Sequence, residues 1–147
     1  MQRRQLLTAL PILGAGLCLP GLPALAQDAD KAARLRELYN RDKSFSDFAQ
    51  AQKGQRTTIW GFMAPPLKAE SEFFVLTNRP MAVCPFCEPG MPWPDDILAV
   101  YAKRVVNVIA FNVPITVTGI LELGDYVDPE LGFYSKVRLV DATYTRV

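Results

Sequence analysis

Ile115-Thr116-Val117-Thr118-Gly119-Ile120-Leu121-Glu122-Leu123 alternates apolar with largely polar side chains. A period of two places Ile115, Val117, Leu121 and Leu123 on one face and Thr116, Thr118 and Glu122 on the other, the pattern of a half-buried strand. Working outward, Thr57 to Met63 is rich in β-branched and aromatic residues and reads as another strand, ended by Pro65-Pro66. Gly61 in its middle predicts a bulge or sharp coil. Phe73 to Thr77 is a strand stopped at Asn78-Arg79-Pro80, and Ile97 to Tyr101 is the next. Beyond Leu123, Asp128-Pro129-Glu130-Leu131-Gly132 is a turn. Tyr134 to Thr145 is a long final strand whose in/out alternation shifts near Asp141, which predicts a bulge there.

Five strands of this kind predict a mainly β fold, a small OB-like Greek-key barrel preceded by an N-terminal helix. The rival architecture is a sandwich of six or seven strands. The helix is expected over Asp28–Asn40, capped by Asp28 or Asp30, with Leu35, Leu38 and Tyr39 on one face. Ser44-Phe45-Ser46-Asp47 has a capping pattern and opens a short helix through Phe48 and Ala51, with Gly54 at its C-terminal end. Lys103 to Asn112 carries Val105, Val106, Val108 and Ile109 and reads equally as a helix or an extended segment. The resulting division is a signal peptide over 1–26, a helical segment over 27–54 and a barrel over 55–147.

The N-terminus carries the signal for export. Arg3 and Arg4 precede an uncharged apolar run from Leu6 to Leu25, and Ala24-Leu25-Ala26 is a small-x-small cleavage pattern. Pro11, Gly14, Gly16, Pro20, Gly21 and Pro23 interrupt the run, which argues against a retained membrane anchor. The paired arginines followed by Gln-Leu-Leu suit twin-arginine export. Cys18 follows Leu17, where a lipoprotein signal needs a small residue, so it is expected to leave with the signal. The expected destination is the periplasm, with no transmembrane anchor in the mature chain.

Loss of Arg3 and Arg4 takes Lys+Arg from 16 to 14 against 15 Asp+Glu. A mature chain of net charge −1 has no basic excess with which to neutralise phosphates, so nucleic acid is not expected as a partner. The chain contains no histidine, which removes imidazole acid–base chemistry and histidine metal ligands.

Soft-ligand or redox chemistry is left to Cys84-Pro85-Phe86-Cys87, within a stretch stiffened by Pro80, Pro85, Pro89, Pro92 and Pro94. Three readings compete. Two thiolates at this spacing are half of a zinc site, which Glu88, Asp95, Asp96 or a second copy of the chain would complete. Copper(I) accepts fewer ligands, and Met81 and Met91 offer thioethers. A thiol–disulfide oxidoreductase is the second reading, but Glu88-Pro89-Gly90 gives Cys84 no helix N-terminus to lower its pKa. The third is an inert interaction module with a structural Cys84–Cys87 disulfide, whose short loop removes little chain entropy. Trp60, Phe62, Phe73 and Phe74 read as core, with a stacking platform as the functional alternative. Lys103-Arg104 reads as a solvated turn, and one carboxylate of Asp95-Asp96 as a flank of the third strand.

Gly-Phe-Met-Ala-Pro-Pro-Leu from Gly61, Phe-Val-Leu-Thr from Phe74, Cys-Pro-Phe-Cys at 84–87, Val-Thr-Gly from Val117 and Leu-Val-Asp-Ala from Leu139 follow one another in that order. Together they resemble a family of small exported bacterial proteins of unknown function, and the likeness runs over nearly all of the mature chain. The resemblance implies an OB-like barrel with a Cys-x-x-Cys between its second and third strands. It also implies an accessory role in metal handling, zinc or copper, beside a component of an ABC-type transporter, and it implies no enzymatic activity.

Overall fold

The computed structural model describes residues 31–83 and 94–147. The five expected strands all form: β2 (Arg56–Met63), β3 (Phe73–Thr77), β4 (Ile97–Ala102), β5 (Pro114–Val127) and β6 (Tyr134–Arg146). They are joined by β1 (Ala33–Arg34), a two-residue strand, and the only α-helix among the described residues is α1 (Asp47–Gln52). The fold is mainly β, and all six strands belong to one sheet in the order β1-β2-β3-β4-β6-β5, with β5 paired back onto β2. A two-sheet sandwich is therefore not the architecture of the described residues.

The pairings explain the sequence patterns. β5 lies antiparallel to β2 from Arg56↔Ile120 to Phe62↔Pro114, and antiparallel to β6 from Ile115↔Arg146 to Val127↔Tyr134. Its alternation is that of a strand flanked on both edges with one face in the core. β3 and β4 form an antiparallel hairpin from Phe73↔Tyr101 to Thr77↔Ile97, and β4 runs parallel to β6. Every residue of β3 is buried. Phe74, Leu76, Leu98 and Val100 join the main core, whereas Phe73, Val75, Ile97 and Ala99 join a second cluster with Ala64 and Phe133. Since side chains alternate across a sheet, the two clusters lie on its two sides. Burial on both faces is why these strands read as unbroken apolar runs.

The irregularity expected at Asp141 is present. Thr118 pairs with Thr143 and Ile120 with Val140, so Gly119 alone faces Asp141 and Ala142, and the parallel β4–β6 register shifts at the same place. Asp141 takes a positive φ of 51°. Gly119 is needed opposite it, because a Cβ there would lie 2.8 Å from the Val140 carbonyl oxygen and 3.0 Å from Ala142 Cβ. No bulge occurs at Gly61, where the β2–β5 register is continuous. Its glycine is required for a different reason: opposite the β5 pairing, β2 changes neighbour from β1 at Ile59 and Trp60 to β3 at Phe62 and Met63, and a Cβ at Gly61 would meet Thr77 O at 2.7 Å.

The helix expected over Asp28–Asn40 is not what its described part forms. Ala33 and Arg34 run parallel to Ile59 and Trp60, on the edge of β2 ahead of its short pairing with β3. One 3-10 turn, Leu35–Leu38, follows. Strand pairing on an open edge outcompetes a marginal isolated helix, and a 3-10 turn still brings residues three apart to one side. Leu35 and Leu38 are accordingly fully buried, within the same core cluster as the strands. The short second helix forms as α1, but its cap is Ser46 rather than Ser44: Ala49 N–H donates to Ser46 Oγ at 3.1 Å. Gly54 follows the C-cap Lys53 at φ 77°, the left-handed position expected of it. Of the two readings of Lys103–Asn112 the helix is not formed; Val106 and Ile109 are buried, and Val106 N–H donates to Ser71 O.

Candidate functional site

The residues singled out for metal or thiol chemistry lie in the connection between β3 and β4. Its two ends are held together: Thr77 pairs with Ile97, Asn78 N–H donates to Asp96 O at 3.0 Å, and Thr77 Oγ1 donates to Arg79 O at 2.8 Å. Cys84, Cys87, Glu88 and Met91 lie outside the described residues, as do Arg3, Arg4, Cys18, Ala24 and Ala26 of the expected export signal. Met81 is described and half-buried. The Asp96 carboxylate faces Arg79 at 3.5 Å, and Asp95 and Asp96 line a shallow cleft of about 230 Å³ together with Arg36 and Arg41. Asp96 thus flanks β4, as expected of one member of the pair.

The four aromatic residues do not form one platform. Phe74 is fully buried in the main core, edge-on to Tyr144 at 5.3 Å. Trp60 and Phe62 are half-buried and contact each other edge-on at 5.0 Å, and the Arg34 guanidinium covers the Trp60 ring at 3.7 Å. Phe73 belongs to the second cluster, with Tyr101 at 5.2 Å and Phe133 at 5.0 Å. Lys103 is an ion-pair partner of Asp141 at 3.3 Å at the bulge.

A site not anticipated from the sequence lies at the other end of the β3–β4 hairpin, where Phe73 pairs with Tyr101. A cleft of about 370 Å³ opens there between two loops. Lys68, Glu70, Ser71 and Glu72 line it from the β2–β3 loop, and Asp128, Glu130 and Leu131 from the β5–β6 loop; Phe73 and Tyr101 lie between them. The β5–β6 loop is held by its own aspartate: Asp128 Oδ1 accepts from Glu130 N–H at 2.9 Å and Leu131 N–H at 2.8 Å, and Asp128 O accepts from Gly132 N–H. Asp128 is 8% exposed, and none of the ion pairs among the described residues includes it.

Tyr101 Oη is buried beside this loop, next to the Asp128 side chain. Burial, then the nearby Asp128 charge and a hydrogen bond to the Asp128 side chain, pushes its pKa well above the usual tyrosine value, so the hydroxyl stays protonated. Arg138 acts in the opposite direction, but that guanidinium is committed: Nε donates to Glu122 at 2.8 Å, Nη1 donates to Gly124 O at 2.9 Å, and the group lies over the Tyr126 ring. The turn at Asp128 was legible as Asp-Pro-Glu-Leu-Gly; nothing in that string places it against Tyr101.

No family model matches the chain, and no curated protein does. Among solved structures, the crystal structure of a DUF3299 family protein from Pseudomonas aeruginosa PAO1 is similar with a TM-score of 0.48 and 18% identity, over 90% of this chain and 85% of that one.

Proposed function

We propose that this protein is an exported, non-catalytic binding module carried on an OB-like barrel. The observation that carries the reading is the circuit of strand pairings. β2 pairs β3, β3 pairs β4, β4 pairs β6, β6 pairs β5, and β5 returns to β2. Five strands that close on themselves in non-sequential order suit a Greek-key barrel, which hides its edges and leaves loops at either end free to bind. A chain without histidine is better suited to binding than to acid–base catalysis.

Within this reading the β3–β4 connection handles a soft metal, zinc or copper(I), through the thiolates of Cys84 and Cys87, and its partner is a transport component or a second copy of the chain. Support comes from residue chemistry and from topology: the pair lies in a connection whose ends are held together by Thr77↔Ile97, so it would be presented from one end of the barrel. Glu88, Met81 and Met91 are the further ligands to test. The experiment is a thiol titration with metal analysis on protein recovered from the periplasm. Two free thiols with zinc or copper, lost together in the Cys84→Ser/Cys87→Ser variant while the fold is retained, are the expected outcome. A reduced protein with no affinity for either metal tighter than about micromolar overturns the metal reading. Export is tested separately: replacing Arg3 and Arg4 by Lys blocks secretion if the twin-arginine route is used.

A further inference from the structure

A second cleft, of about 390 Å³, lies between the chain that leaves β4, over 102–107, and the end of β6, over 142–144. Its floor is apolar and fixed. Ala102 and Ala142 are buried there, and Lys103 N–H donates to Ala142 O at 2.9 Å. The Tyr144 ring packs edge-on against Phe74 of the main core. Its hydroxyl accepts from Asn107 N–H at 2.7 Å and donates to Asn107 O at 3.1 Å. The two walls are thus tied together at both ends of the cleft, so its shape is set before anything binds. The rim carries charge of one sign: Lys103 and Arg104 line it, and no carboxylate does. Asp141, on the bulge next to Ala142, is met by both Arg56 and Lys103, so this corner of the molecule holds three cations and one anion. Arg104 is exposed and enters no ion pair among the described residues. Val105 is 50% exposed and adds an apolar side chain to the same wall. Ala102 and Val105 also border the acidic cleft, so the two clefts open on either side of them.

We propose that this cleft binds a small organic monoanion, a carboxylate carried on a short apolar group. Arg104 and Lys103 meet the carboxylate at the rim, the Thr143 hydroxyl donates to it, and the apolar group lies over Ala102, Ala142 and Val105. The chemistry selects that class. Organic cations are repelled by the rim. A guanidinium offers a carboxylate two parallel N–H bonds, and Arg104 has no other charge to satisfy. A bare inorganic anion would leave the apolar floor and Val105 facing water. A polyanion needs a run of cations, whereas the excess here is two charges. A volume of about 390 Å³ falls in the range of small-molecule sites.

The test is a titration of the purified protein with phenylacetate, followed by calorimetry and amide chemical shifts at about 0.15 M salt. Saturable binding with a Kd of about a millimolar or tighter is expected, with shifts at Arg104, Val105 and Thr143. Arg104→Gln and Lys103→Gln should each weaken it by about tenfold, as loss of one interaction with a charged group does. Lys136→Gln, which removes an exposed cation of β6 outside the cleft, should leave the affinity unchanged. Since Arg104 is exposed, Arg104→Gln should melt with the parent, so its loss of binding cannot be unfolding. The proposal is overturned by absence of saturation at about ten millimolar or by unchanged affinity in Arg104→Gln. Equal binding of phenethylamine, which carries the same ring on an ammonium, or of acetate, which lacks the ring, overturns it as well. The cysteine pair does not line this cleft, so failure here leaves the metal reading untouched.

Discussion

Phe73 and Phe74 are neighbours in the chain, both nearly inaccessible to water, and they belong to opposite sides of the sheet. On the side of Phe74 there is no room. Gly61 and Gly119 share the inward parity of Met63 and Val117, and at either one a single added methyl would collide with backbone oxygen. On the side of Phe73 the packing gives way within one ring to Tyr101, a buried carboxylate and about 370 Å³ of open cleft. Side chains of equal burial thus serve different ends. The inner side stabilises the sheet, and the outer side is a small cluster bordered by an open cleft.

That contrast can be broken most directly at Phe74. Phe74→Ala should cost about 3–5 kcal/mol, read as a lower urea midpoint at unchanged slope, because it removes a fully buried ring from the larger cluster. A cost under about 1 kcal/mol would show that the inner side is loosely packed after all. Gly119→Ala comes next, at about 1–3 kcal/mol, since the Val140 carbonyl and the Asp141 bulge must shift to admit the methyl. An unchanged midpoint would mean that the bulge is free to move.

On the outer side the effect should be smaller. Tyr101→Phe removes a buried hydroxyl beside Asp128 and should change stability by no more than about 1 kcal/mol in thermal or urea unfolding. A loss above about 2 kcal/mol would show that the hydroxyl anchors the Asp128 turn. The smallest effect is expected at Asp141, an exposed carboxylate with Arg56 and Lys103 as partners. The Arg56 hydrogen bond is the main cause that lowers its pKa from the ordinary 3.8, with Lys103 adding to it and desolvation opposing. A depressed carboxyl pKa contributes stability above the ordinary value and loses it as pH falls through the depressed one. Asp141→Asn should therefore lower the melting temperature slightly at neutral pH, less in high salt, and the difference from the parent should close below about pH 4. A gap that persists in acid would put the loss down to the bulge backbone instead of the charge.

Much of the fold was legible because it rests on local chemistry. The alternation of β5, the β-branched run of β2 and the shift at Asp141 each announced an element now in place. The N-terminal segment misled for the opposite reason. Leu35 and Leu38 carry the same spacing in a helix as in a 3-10 turn, and the choice was made by the β2 edge at Ile59 and Trp60, far along the chain. The Gly61 irregularity likewise turned out to be a crowding between strands and not a bulge.

For the sites the division falls elsewhere. The sequence by itself determined the composition of the chain's chemistry: two close cysteines, no histidine, a turn that begins with aspartate, and an uncharged apolar N-terminal run behind paired arginines. These are properties of covalent order, and no folding is needed to read them. Only the tertiary structure decided that Phe73 and Phe74 part company, that Asp128 is buried, and that its turn closes against Tyr101 beside the glutamates of another loop. Those facts depend on which strand pairs with which and in what register, and pairing between distant segments is set by the packing of the whole sheet, which no local pattern encodes.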